Sequence, residues 1–181
     1  MEMTMKIHII GASGSGKTFL AKQLSERLGI PAWELDELFW DNSAGSYNSK
    51  RSPDERGRML EEILECDDWI LEGVQHSWLG QAFAQADAIC LLTTPPLLCR
   101  LRIVRRFFVR KWKKTGRRNE TLRSLLKLLV WTRKFYRVNL PQIRAGLEPY
   151  RGKVVELKTK REIYSWLEKQ AEGFSNQSGL T

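Results

Sequence analysis

Residues 11–18 read GASGSGKT and follow a short apolar run, KIHII. Gly11, Gly16, Lys17 and Thr18 stand at the spacing G-x-x-x-x-G-K-[ST], between a strand-length segment and a helical one. Each residue type has a task. The glycines let backbone N–H groups turn inward without a Cβ in the way. Those donors and the helix N-terminus then form a nest for phosphate oxygens. The expected phosphate-binding segment is therefore Gly11, Ala12, Ser13, Gly14, Ser15, Gly16, Lys17, Thr18 and Phe19. Lys17 is expected to reach the outer phosphates of a nucleoside triphosphate, and the Thr18 hydroxyl to ligate Mg²⁺. A plain Gly/Ser-rich turn is the bland alternative. The motif does not say what receives the phosphoryl group: water would make an ATPase, a bound small molecule a kinase.

Metal-assisted phosphoryl transfer also needs carboxylates, which in parallel sheets sit at the carboxyl ends of strands. Two are expected there: Asp36 in WELDELFW and Glu72 in WILEG. Glu72, with Thr18 and Asp36, would organise the metal, and Asp36 would orient or deprotonate an acceptor hydroxyl. Asp36 also reads as a helix N-cap, and Glu72 as a solvated strand end. Glu37 is a weaker candidate. Asp87 precedes a strand and reads as structural. His8 alternates within an apolar strand and reads as a core histidine. His76, after Glu72, is open to a substrate contact.

The elements that must position these groups follow from pattern. Strands are predicted at residues 6–10, 31–36, 69–72, 87–94 and 153–157. Helices are predicted at 18–28, from Ser52 as N-cap with Pro53 first inside, at 78–86, from Pro95 and Pro96 onward, at 121–139 and at 162–170. Residues 39–52 read as a polar loop, and 115–119 as a helix break. The strands are mostly uninterrupted apolar runs that alternate with helices. That predicts an α/β fold with a parallel sheet covered on both faces. The 181 residues, 42% of them hydrophobic, suffice for one domain with a core, expected over 1–173 with a flexible tail at 174–181. No apolar window suits a membrane span or a secretory signal. Cys66, Cys90 and Cys99 lack metal-ligand spacing and read as buried reduced thiols, so a cytoplasmic location is expected.

Several stretches resemble the adenylate-kinase-like P-loop kinases, which include shikimate and nucleoside monophosphate kinases. Within that family the chain is most similar to small bacterial proteins labelled DNA topology modulation proteins or predicted adenylate kinases. GASGSGKTFLAKQLSERLGIP resembles the nucleotide loop and first helix, and ELDELFW a segment that keeps an aspartate and a tryptophan, here Asp36 and Trp40. WILEGVQ is similar to the L-D-G segment of adenylate kinases, with Glu72 at their magnesium-associated aspartate. ADAICLLTTPPLLCRLRIVRR resembles the fourth strand and its helix; by match, Arg102 lies over the adenine and Arg106 at the phosphates. KVVELKTKREIYSWLEK resembles the last strand and helix, with residues 158–160 bordering the adenine. The resemblance implies a P-loop NTPase three-layer sandwich, a five-stranded parallel sheet in order 2-3-1-4-5, and ATP with Mg²⁺ as cofactors. Lys17, Asp36, Arg102 and Arg106 would be catalytic. The residues after Gly73 are Val74 and Gln75, where adenylate kinases carry a phosphate-binding arginine. That departure argues against AMP as acceptor.

The net charge of +9 is uneven. Residues 100–137 hold fifteen Lys or Arg and one acid, Glu120, a net +14; the remainder holds fifteen basic and twenty acidic residues, a net −5. Such a segment attracts phosphate in some form. Read as a lid, about 106–137, it would close over the triphosphate. Phe107, Phe108, Trp112, Trp131, Phe135 and Tyr136 are interleaved with its cations, which also suits nucleic acid, through 105–118, by stacking and backbone attraction. An acidic partner or membrane surface is a third reading. Leu122, Leu125, Leu126 and Leu129 are expected to pack inward.

Overall fold

The structure, a computed structural model, describes residues 4–41, 49–113 and 121–178. In chain order its first half holds β1 (Lys6–Gly11), α1 (Lys17–Leu28), β2 (Ala32–Glu34), α2 (Leu35–Phe39), β3 (Trp40–Asp41), β4 (Ser49–Lys50), α3 (Pro53–Leu64) and β5 (Trp69–Gly73). Then come α4 (Gly80–Gln85), β6 (Ala88–Leu92), α5 (Pro96–Lys113) and α6 (Leu122–Lys134). A π-helical turn (Phe135–Asn139), α7 (Leu140–Leu147), a 3-10 stretch (Glu148–Lys153), β7 (Val154–Leu157) and α8 (Lys160–Ser178) complete it.

Five strands form one parallel sheet in the order β2-β5-β1-β6-β7, which is the expected 2-3-1-4-5. The central strands carry Ile7, Ile9, Ile10, Trp69, Ile70, Leu71, Ile89 and Leu92, all fully buried. Strands apolar on both faces need cover on both faces. One face packs Trp69 and Leu71 against Leu60, Phe83 and Ile143 of α3, α4 and α7. The other packs Ile7 and Ile9 against Leu20 and Leu24 of α1 and Trp166 of α8.

Several elements differ from the sequence reading. The second strand stops at Glu34, and Leu35 starts a helix. Leu35 and Leu38, one helical turn apart, are both buried, and that spacing ends the extended run. Part of the expected loop at 39–52 is a hairpin, with Trp40 opposite Lys50 and Asp41 opposite Ser49; residues 42–48 lie outside the described residues. Arg51 ties it down, donating to the Glu37 and Trp40 carbonyls at 2.8 and 2.7 Å. Ser52 caps α3 as expected, accepting from the Glu55 N–H at 3.2 Å.

The helical run begun at α6 does not end at Asn139 but continues through α7 despite Pro141. The π-helical turn lies just ahead of that proline, whose nitrogen has no hydrogen to donate. The closing helix runs past Gly173 to Ser178. The break expected at 115–119 lies outside the described residues. Cys90 and Cys99 are buried, but Cys66 is exposed, because it follows the end of α3 and only its neighbours Ile63 and Leu64 turn inward. Leu122 and Leu126 also depart from expectation: both face solvent, while Leu125 and Leu129 are half-buried. No described helix is long and apolar enough to cross a membrane.

Candidate active site

Parallel register brings the carboxyl ends of three strands together: Ile10 of β1 lies beside Gly73 of β5, Ile9 beside Glu72, and Glu72 beside Glu34 of β2. The chain leaves β1 at Gly11, turns back with the Ser15 N–H on the Ala12 carbonyl at 3.2 Å, and enters α1 at Lys17. Gly16 caps that helix at φ 112°, a left-handed conformation that a side chain would strain. The Lys17 ammonium lies 3.3 Å from the Ala12 carbonyl and 3.8 Å from Glu72 Oε2. The Thr18 hydroxyl donates to Glu72 Oε1. Glu72 is only 5% exposed, so it is not a solvated strand end; a buried carboxylate is held by an ammonium and a hydroxyl from the loop.

Asp36 is not the strand-end acid. It lies in the first turn of α2, where its exposed carboxylate accepts from Gln75 Nε2 at 3.2 Å. It is not the N-cap either; that position is Glu34, whose side chain makes no capping bond. Glu34, which the sequence reading missed, ends β2 and faces the same cleft. Partial burial pushes its carboxyl above the usual range, and the charges of Glu72, Glu37 and Asp36 add to that, with Lys17 opposing. The spacing E-L-D carried the signal: if the strand ends two residues earlier, Glu34 takes the place assigned to Asp36.

Arg102 and Arg106 reach the cleft from α5. Arg102 donates to the Gly14 and Ser15 carbonyls, both at 3.1 Å, and so straps the loop from above. A second strap was not anticipated. Thr94, just after β6, donates from its hydroxyl to the Ser15 carbonyl at 3.0 Å, and the Thr94 carbonyl accepts from the Tyr136 hydroxyl. Cys99 Sγ lies 3.3 Å from the same hydroxyl. Burial holds both Tyr136 and Cys99 in their protonated forms, raising each above its ordinary range.

The loop, the acids and the two arginines line one cleft of about 530 Å³, and Thr94, Cys99 and Tyr136 are not among its lining residues. It gathers Ser13, Gly14, Ser15, Gly16, Lys17, Thr18, Phe19, Glu34, Asp36, Glu72, Arg102 and Arg106. Gly11 and Ala12 lie beneath its floor, both buried. Of residues 158–160 only Lys160 reaches the cleft, at the end where Phe19 meets Tyr164 edge-on with ring centres 5.8 Å apart. His76 does not line it. His8 is a core residue, edge-on to Phe83. Asp87 accepts from the Lys6 N–H at 2.7 Å at the opposite end of β1, a structural role. Among the described residues no group of three His, Cys, Asp or Glu side chains is set to hold a metal unaided. One hydroxyl and two carboxylates fit Mg²⁺, which takes few protein oxygens when phosphate supplies the rest.

No protein-family model matches the chain. The uncharacterized protein YqaC of Bacillus subtilis (strain 168) is 33% identical over 94 residues, 51% of each chain. The chain thus spans about half the length of the curated relative it matches. Among solved structures it is similar to the shikimate kinase from Acinetobacter baumannii in complex with shikimate, at 18% identity and TM-score 0.59, covering 97% of this chain and 96% of that one. A gluconokinase from Sinorhizobium meliloti 1021 gives 18% and 0.53 over 98% and 99% of the two chains. The shikimate kinase from Bacteroides thetaiotaomicron gives 14% and 0.55 over 96% and 99%. At these identities the likeness is one of architecture: the chain has the α/β fold of the shikimate-kinase and gluconokinase type of P-loop kinase.

Proposed function

We propose that this protein is a P-loop kinase that transfers the terminal phosphoryl group of ATP to a hydroxyl of a small acceptor. The observation that carries the reading is the mutual contact of Lys17, Thr18 and Glu72 at the strand ends, with Asp36 on the same cleft. The resemblance to adenylate-kinase-like proteins and the shared architecture support it. The loop N–H groups and Lys17 hold the triphosphate. Thr18 would ligate Mg²⁺, with Glu72 and Glu34 ordering its water shell. That ion would supply charge neutralisation at the outer phosphates. Asp36, steadied by Gln75, orients the acceptor hydroxyl and takes its proton as the new oxygen–phosphorus bond forms and the bond to ADP breaks. Arg102 and Arg106 offset charge on the transferring group.

The acceptor side carries Glu34, Asp36, Gly73 and Val74. Two carboxylates repel a phosphate-bearing acceptor, so the reading favours an uncharged hydroxyl compound over a nucleoside monophosphate. The test is ADP release across nucleosides, nucleotides and small polyols, with Lys17→Ala as control. A polyol or related neutral compound should stimulate release, and Lys17→Ala should lower turnover by roughly a hundredfold or more. Undiminished turnover in Lys17→Ala, or no calorimetric signal with millimolar ATP, overturns the proposal.

A further inference from the structure

The outward face of α5 has no part in the cleft. At about 100° per residue, Leu97, Leu101, Phe108 and Trp112 fall within about 60° of one another on the helix. All four are exposed, from 57% at Leu101 to 90% at Trp112. Cys99 and Ile103 lie on the opposite side of the helix, and with Phe107 they are buried against the body. Arg100 and Lys111 flank the stripe on one side and Arg105 lies on the other, all exposed. The neighbouring α6 repeats the design: Leu122, Leu126 and Val130 are exposed at four-residue spacing, beside Arg123 and Lys127. Contiguous exposed apolar residues rimmed by charge mark an interaction surface.

The geometry points to an anionic lipid surface as the occupant. Over the two helices these exposed residues are five aliphatics with one tryptophan and one phenylalanine, bordered by cations. That is the composition of a helix lying in the headgroup region, its apolar side dipped toward the acyl chains. Residues 100–137 hold fifteen cations against one acid, so the partner must be negative. A second copy of this chain would set like charges face to face. Single-stranded nucleic acid offers planar bases, yet only Phe108 and Trp112 on this face could stack with them. The helices lie on the bilayer and do not cross it, since no described helix is long and apolar enough.

Co-sedimentation of the full chain with vesicles tests this. Vesicles of phosphatidylcholine mixed in equal parts with phosphatidylglycerol should pellet the protein; phosphatidylcholine alone should not. A Leu101→Ser/Phe108→Ser/Trp112→Ser variant should lose at least about tenfold in vesicle affinity while keeping its far-ultraviolet circular dichroism and ATP binding. Should that variant misfold, Arg100→Glu/Lys111→Glu is the second arm, and it should lose vesicle binding by the electrostatic route. Failure of the unaltered protein to pellet with anionic vesicles at low salt overturns the proposal. So does equal vesicle binding by the folded variants. Retention of a single-stranded oligonucleotide that the triple variant loses, with vesicle binding unchanged, overturns it in favour of nucleic acid. A dimer abolished by the triple variant overturns it in favour of self-association.

Discussion

Glu34 and Glu72 sit side by side on neighbouring strands, with Lys17 as the near cation. Two carboxylates at such a separation repel, and the loop ammonium compensates only part of that; Glu34 keeps its raised affinity for a proton. A divalent cation would relieve the remainder, which gives Glu34 a definite signature. Glu34→Gln should raise the Mg²⁺ concentration needed for half-maximal turnover by roughly tenfold, as loss of a partner around a metal typically does. Nucleotide affinity measured without metal should hold or improve, because one negative charge has gone. A Mg²⁺ titration of ADP release, beside calorimetry in chelator, separates the two effects. An unchanged metal requirement would remove Glu34 from the proposed ion's surroundings. The residue also marks a limit of sequence reading. Residues 11–18 were legible because everything they need is local: spacing, glycine and a helix behind them. Whether Glu34 or Asp36 ends the strand depends on where α2 begins, and its first residue, Leu35, packs against a strand nearly forty residues away.

That contact is between Leu35 and Gly73. A Cβ on Gly73 would stand 2.7 Å from both Cβ and Cδ1 of Leu35, and a Cβ cannot be relieved by changing rotamer. Gly73→Ala should therefore push α2 off β5, at a cost of about 1–3 kcal/mol. Since α2 carries Asp36 while the loop at 11–18 stands on β1 and α1, the two halves of the site should separate. ATP affinity should stay within about twofold and phosphoryl transfer fall by about tenfold or more, the expected penalty for a displaced reacting group. Calorimetry and ADP release on the same preparation check it; equal losses in both would mean that the whole cleft had collapsed. At this scale the sheet was readable, because buried parallel strands must be apolar throughout. The helices were readable in existence but not in facing. Leu122, Leu125, Leu126 and Leu129 fit an inward stripe by spacing alone, yet only Leu125 and Leu129 lean on the body. Periodicity gives a stripe's width, and the neighbour that covers it is a tertiary fact. The helix expected to end at 139 continues in the same way, since the wide turn ahead of Pro141 accommodates the proline.

Across the whole molecule, the two hydrophobic layers meet at β1, and His8 occupies that strand with no exposed surface. Neither ring nitrogen has a hydrogen-bond partner among the described residues, and Phe83 meets the ring edge-on at 5.0 Å. Burial drives the imidazole to its neutral form, lowering its pKa from 6.5 to about 3. The sign follows from proton counts. Between those two values the unfolded chain holds a proton on this residue and the folded chain does not, so acid favours unfolding. The contribution is complete above about pH 6.5 and is lost as pH falls toward about 3, at roughly 1.4 kcal/mol per pH unit in the middle of the window. Carboxylates elsewhere add slopes of their own at the acid end, so the whole curve cannot be assigned to one group. His8→Leu isolates it: the apolar replacement keeps most of the volume and has nothing to protonate. Urea unfolding of both proteins from pH 7 to pH 4 should show the stability difference moving toward the variant as pH falls, by about 3 kcal/mol over the series. A difference that stays constant with pH would mean that His8 takes up its proton inside the folded core, and that the centre of the sheet is wetter than its packing implies.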